Sequence, residues 1–199
     1  MRIVIIGGSG TIGQAVANEL SPRHEIIIAA KSKGEVLVDI SDPVSIDSMY
    51  HKISKIDAVI ATTGKVHFAP IDAFTPEDWD LGLNNKLMGQ VNLVTLGMRY
   101  LNDGGSFTLT SGILNRDPIR LGSSASMVNG ALDGFVKSAA LELPRGLRIN
   151  IVSPTVLQES MDKYSDFFRG FEPVPVARVA LAYTKSVEGR QTGQVYCVE

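Results

Sequence analysis

Residues 7–13 read GGSGTIG, and glycine spacing is their first chemical signal. Gly8, Gly10 and Gly13 fit G-x-G-x-x-G, while Gly7, Gly10 and Gly13 fit a wider G-x-x-G-x-x-G. Such glycines let a backbone approach a pyrophosphate that a side chain would block. Thr11 and Ile12 then open a helix-length segment, whose first N–H groups lack intrahelical partners and can face an anion. The motif follows a strand-like run and opens that segment, the context that gives it meaning. Further along, Ile26–Gly34 contains no Asp or Glu, although an acid ~20 residues past the glycines is usual for NAD. Lys31 and Ser32 stand there instead, a cation and a hydroxyl suited to a ribose 2′-phosphate. Asp39 and Ile40 are an acid and an apolar residue that could bound an adenine pocket, with capping the other role open to Asp39. Ala61, Thr62 and Gly64, in ATTG, end another apolar run where ligands of parallel sheets bind.

Other reactive side chains carry less. His67 could contact substrate but reads first as a surface-loop histidine, and Arg116 and Asp117 could bind a carboxylate substrate but read first as neighbours that pair with each other. Tyr164 with Phe167, Phe168 and Phe171 would make an apolar lid over 157–171 or one face of an ordinary helix. No spacing of His, Cys, Asp or Glu suggests a metal, and Cys197 alone cannot build a zinc site.

These residues need a scaffold. RIVIIG, HEIIIAA, EVLVDI, IDAVIAT, GSFTLTS, LRINIVS and GQVYCV are runs apolar on both faces, as strands of a buried parallel sheet are. Amphipathic segments lie between most of them. Asp42 before Pro43 and Thr75 before Pro76 are helix starts, and Glu77 and Asp78 favour the positive end of the second. Only Lys31–Gly34 separate the second and third runs, too few for a helix. The alternation predicts one α/β domain over 1–199, an open doubly wound Rossmann-type sheet with helices on both faces.

The chain's 199 residues suit one domain. Hydrophobic residues at 44% and charged residues at 20% are ordinary for a globular protein. A net charge of −2 without a basic block argues against nucleic acid and anionic membranes. No apolar run approaches the ~18 residues of a membrane span. Met1-Arg2 leads straight into IVIIGG, which is unlike a signal peptide, and one cysteine suits a reducing compartment; the expected location is cytoplasmic.

With GGSGTIG, Asp39-Ile40, ATTG, Ser111 after the fifth run, the segment ALDGFVKSAALEL and RINIVSP all in order, the chain resembles the short-chain dehydrogenase/reductase superfamily over nearly its whole length. The resemblance implies strand order 3-2-1-4-5-6-7, a nicotinamide cofactor and dimers or tetramers, commonly paired along the helix expected over Ser123–Leu143. It also implies a Ser, a Tyr, a Lys four residues after the Tyr, and an Asn on the preceding helix. Ser111 fits the first. Ala125 falls at the Tyr position and Asn129 at the Lys position, so both are replaced. Matching L-x-G places Lys86 at the Asn position, next to Asn85. Ser126 adjoins the Tyr position but lies about 100° round a helix. Pro154 fits the end of the sixth strand, and Thr155 replaces the Gly of the family's Pro-Gly.

Two functions are compatible with this pattern. One is an NADP(H)-dependent oxidoreductase acting on a small carbonyl or alcohol, with Lys86 and Ser111 in the acid-base role. The other is a non-catalytic NADP-binding regulatory or scaffolding protein. The glycine loop, Ser111 and Lys86 favour the first, and Ala125 with Asn129 the second. The expected partners are a small-molecule substrate and further copies of the chain, as a homodimer or homotetramer.

Overall fold

The computed structural model describes residues 1–199. Seven parallel strands form one sheet: β1 (Arg2–Ile6), β2 (Glu25–Ala30), β3 (Val36–Leu37), β4 (Ile56–Ala61), β5 (Leu101–Thr110), β6 (Arg148–Pro154) and β7 (Val195–Val198), in the order β3-β2-β1-β4-β5-β6-β7. β1 is an inner strand beside the central β4: Ile3 sits opposite Ile26 of β2 and Ala58 of β4. The order and the doubly wound class match the expectation.

The helices are α1 (Thr11–Leu20), α2 (Pro43–Ile53), α3 (Pro76–Asp80), α4 (Met88–Gly97), α5 (Ser123–Ala139), α6 (Met161–Tyr164) and α7 (Val176–Glu188). Each sheet face carries a core, as a sheet apolar on both sides requires. Twenty-five buried residues, among them Val4, Tyr50, Leu93, Phe107 and Val128, pack on one face. Fourteen, among them Ile3, Ile5, Val16, Val179 and Tyr183, pack on the other beneath α1 and α7. Asp42 caps α2 by accepting from the Val44 N–H at 2.9 Å, and Thr75 forms a two-way capping box with Asp78 at α3.

The structure departs from expectation in two elements. α5 stops at Ala139 rather than Leu143. The Leu141 and Glu142 N–H groups bond three residues back, a tightened turn, and Pro144 follows. The segment after α3 is π-helical over Leu81–Leu87 before α4 begins. No helix lies between β2 and β3, and β3 is a two-residue edge strand with Leu37 exposed.

Candidate active site at the carboxyl edge of the sheet

The carboxyl ends of β1, β4, β5 and β6 deliver Gly7, Thr62–Gly64, Ser111–Gly112 and Pro154–Thr155 to one edge. Two cavities open there and share Thr62 and Thr63 as a common wall. One, about 270 Å³, is lined by Gly7, Ser9, Gly10, Lys31, Ser32, Asp39 and Ile40, with Lys65 and Asn85 at its rim. The other, about 300 Å³, is lined by Ile12, Gly64, Lys86, Ser111, Ala125, Asn129, Pro154 and Thr155, with apolar walls from Val66, Phe68, Ile113, Leu114, Leu157 and Phe168. Most of the residues expected at the site from sequence therefore reach one of these two spaces. Thr11 and Ala61 serve the scaffold, Thr11 as first residue of α1 and Ala61 as last of β4.

The glycines divide the work in the first cavity. Gly7 has φ +83°, the left-handed region that disfavours side chains. A Cβ on Gly13 would lie 2.3 Å from the Gly7 carbonyl oxygen, so Gly13 lets α1 pack against the turn. A Cβ on Gly10 would meet only that oxygen, at 3.4 Å. Gly10 is the N-cap of α1, makes no side-chain cap, and heads a first turn without an acid. That leaves free N–H groups beside an open space, the environment a pyrophosphate needs. Lys31 and Asp39 face each other here, Nζ to Oδ2 at 2.6 Å. Asp39 also accepts from the Ser41 N–H and hydroxyl. Bonding to Lys31, then to Ser41, pulls its carboxyl down to about 2, so it is ionised at neutral pH. Asp39 therefore both borders the cavity and orders the turn before α2.

Lys86 lies near the end of the π-helical segment and is half-buried. Its Nζ donates to Asn129 Oδ1 at 2.7 Å and to the Ser111 carbonyl at 3.0 Å. Gly64 is pressed against it; a Cβ there would meet Lys86 Cγ at 2.5 Å. No carboxylate lies within ion-pair distance of Nζ. Burial lowers its pKa to about 8, opposed by the more distant charge of Asp133. Lys86 and Asn129, the residues that the resemblance sets at the family's Asn and Lys positions, thus meet directly, with the ammonium of one held on the amide oxygen of the other.

The hydroxyls of Ser111 and Thr155 are buried and have no hydrogen-bond partner, yet both residues line the cavity. Buried polar groups are nearly always paired, so two orphans facing one space point to a ligand there. Ala125 offers no proton. Ser126, facing away, donates to the Leu114 carbonyl. Ile113, Leu114 and Ala125 form a small core of their own, against which Phe68, Phe168 and Phe171 pack; Phe167, also expected in an apolar cover over 157–171, is not among them.

Sequence reasoning missed a brace behind Ser111. Gln90, fully buried on α4, donates to the Thr110 carbonyl at 2.9 Å and accepts from the Thr110 N–H at 2.8 Å. The Thr110 hydroxyl is held by the Tyr183 hydroxyl at 2.6 Å. A lone glutamine among apolar residues in GQVNLV was the available signal. Arg116 does not pair with Asp117. It donates to the Ser153 hydroxyl at 2.7 Å and bridges Glu199 at 2.5 Å, because the turn after β5 brings it beside β6 and the C-terminus. His67 stands outside both cavities, 3.6 Å from Asp78 and edge-on to Phe74.

A doubly wound sheet in this order, with a glycine cradle and a serine-bearing fifth strand, defines a Rossmann-type nucleotide-binding protein of dehydrogenase architecture. The family model described as enoyl-(acyl carrier protein) reductase matches residues 12–196. The chain belongs to the short-chain dehydrogenase/reductase superfamily of oxidoreductases. It is 23% identical to L-xylulose reductase of Mesocricetus auratus, over 81% of this chain and 68% of that one. It is 24% identical to a versicolorin reductase of Emericella nidulans, over 80% and 70%. A solved Listeria innocua protein is 52% identical over the whole of both chains, with a TM-score of 0.99. A small-chain dehydrogenase solved in complex with NADPH is 26% identical, over 100% and 96%, with a TM-score of 0.89.

Proposed function

We propose that the chain is an NADP(H)-dependent oxidoreductase of a small carbonyl or alcohol, in which Lys86 and Ser111 replace the tyrosine-centred acid-base group. The observation that carries this reading is the ammonium of Lys86 held on Asn129 beside the orphaned Ser111 hydroxyl. The cradle fits the cofactor: free N–H groups of α1 and Gly10 suit the pyrophosphate, Lys31 and Ser32 the 2′-phosphate, Ile40 the adenine, and Thr155 and Asn129 the nicotinamide end. The NADPH-bound relative at 26% identity supports the same choice. NADPH, when bound, supplies hydride.

The remaining work falls to this chain's own groups. An ammonium has three N–H groups, and Asn129 and the Ser111 carbonyl occupy two. The third, with the Ser111 hydroxyl, is free to hold the substrate oxygen as it gains charge and to pass it a proton from Nζ. A pKa of about 8 keeps Lys86 mostly protonated at neutral pH while leaving it willing to give the proton up. Gln90 and Tyr183 hold the strand end that carries Ser111. The apolar walls exclude water, which strengthens both contacts.

The test is a screen of small aldehydes, ketones and quinones against NADPH absorbance, followed by Lys86→Met on any substrate found. The expected loss of turnover is roughly 10²–10⁴-fold, with NADPH affinity changed far less. Normal turnover in Lys86→Met sinks the assignment. The second reading, a non-catalytic NADP-binding protein, is favoured by Ala125, which leaves the tyrosine position without a proton. An empty screen followed by carbonyl reduction in Ala125→Tyr would support it, since Lys86 already supplies the ammonium such a tyrosine needs.

A further inference from the structure

We propose that the cavity beside Lys86 is a receptor for planar phenols and enols, bound as the anion with the oxygen between the Lys86 ammonium and the Ser111 hydroxyl. This rests on the assignment of Lys86 and Ser111 above and names the ligand class that those groups select. Four observations carry it. The Lys86 ammonium has only neutral acceptors, the Asn129 amide oxygen and the Ser111 carbonyl, and no carboxylate within ion-pair distance, Asp133 acting on it only from farther off. A half-buried cation without a counter-charge is stabilised by an anion delivered to it. The Ser111 hydroxyl is buried, unpartnered, and on the same cavity wall. The facing walls are aromatic or aliphatic, and Ala125 leaves open the space that a larger side chain would fill.

The number of donors sets the anion's shape. One free N–H on Lys86 and the Ser111 hydroxyl satisfy a single oxygen, and the unpartnered Thr155 hydroxyl is left for a second, neutral polar atom of the ligand. A carboxylate brings two strongly hydrated oxygens, and beyond the Lys86 ammonium and Ser111 only the neutral Thr155 hydroxyl would replace the water lost from the second. An aliphatic alkoxide, or the anion of a weakly acidic phenol, would take the Lys86 proton, so the class narrows to phenols and enols more acidic than that ammonium. A phenolate or enolate concentrates its charge on one oxygen and presents an apolar, flat body to Phe68 and Phe168. The ionisable residues lining the cavity are Lys86 and Tyr164, and Asp133 on α5 acts on Lys86 from farther off. No ionised carboxylate therefore stands among the lining residues to repel the bound anion.

The test uses 4-nitrophenol as probe, because its anion and its neutral form absorb differently. Titrations are run on the whole chain with and without NADP⁺, beside benzoate and cyclohexanol. Bound 4-nitrophenol should ionise at least one pH unit lower than it does in solution, a tenfold or greater preference for the anion. Lys86→Met should abolish that spectral shift and weaken binding roughly ten- to a hundredfold. Ala125→Tyr, which fills the cavity while keeping Lys86, should exclude the probe; thermal melts confirm that both variants fold. The proposal is overturned if the bound probe stays protonated, if Lys86→Met keeps the shift, or if benzoate binds as tightly as 4-nitrophenol. Turnover of a carbonyl substrate through Lys86 without anion binding would sink this proposal and leave the oxidoreductase reading standing. Ionised probe bound to a chain that never binds NADP(H) would do the reverse.

Discussion

Lys86 is the residue on which stability and chemistry oppose each other. Burial lowers its pKa from 10.5 to about 8, so the folded state binds fewer protons than the unfolded one between those values. The charged lysine destabilises the fold in full below pH 8. That cost is relieved as pH rises and is gone above 10.5. Because the side chain keeps some exposure to the cavity, about 1–2 kcal/mol is at stake. Denaturant melts should show wild type gaining on Lys86→Met by that amount between pH 7 and about 10.5, and a constant gap would contradict the burial argument. Lys31 makes a different prediction. Its pairing with Asp39 is largely exposed, with 72% of the lysine side chain accessible, and such pairs are worth little. A 2′-phosphate can therefore draw the lysine away. Lys31→Ala would leave an ionised Asp39 facing the ribose, which repels NADPH and can hydrogen-bond the 2′-hydroxyl of NADH. Calorimetry should show NADPH preferred about ten- to a hundredfold by wild type, and the preference lost or reversed in the variant.

At the scale of elements, the turn from β1 into α1 separates a folding glycine from a binding one. Gly10 has extended backbone angles and open space around its would-be Cβ, so Gly10→Val should alter stability by no more than about 1 kcal/mol while abolishing nucleotide binding. Gly13→Val would drive a side chain into the Gly7 carbonyl and should cost roughly 3 kcal/mol or prevent folding. Equal NADPH affinity in Gly10→Val and wild type would show that the glycines serve only the turn. Such features were readable because strands, caps and the cradle are local: their signals lie within a few residues of each other. The π-helical winding of Leu81–Leu87 has no comparable local mark, and it belongs to the segment that carries Lys86. The Gln90 brace and the Arg116–Glu199 contact were also invisible, since their partners lie 20 and 83 residues away and meet only in the finished sheet. α5 was overextended because Ala140–Leu143 remain good helix formers, and the tightened turn before Pro144 decides against them.

For the whole molecule, the outer face of α5 deserves a measurement. Met127, Gly130, Ala131 and Gly134 are exposed on it, and nothing lies within 4 Å of a Cβ built on Gly134. A second copy of the chain could approach that smooth face closely, and sedimentation should find a dimer or larger. A strict monomer at micromolar concentration would remove the argument. No helix is long and apolar enough to cross a membrane. The meeting of Lys86 and Asn129 has a consequence for ancestry as well. Asparagine and lysine codons differ only at the third base, so the arrangement seen here and its mirror lie two point mutations apart. The two routes between them are not equivalent. One passes through asparagine at both sites and carries no charge. The other passes through lysine at both, setting two ammonium groups against each other where a 2.7 Å hydrogen bond now runs. A lineage moving between the two forms would have to surrender its cation first and regain it from the other helix afterwards.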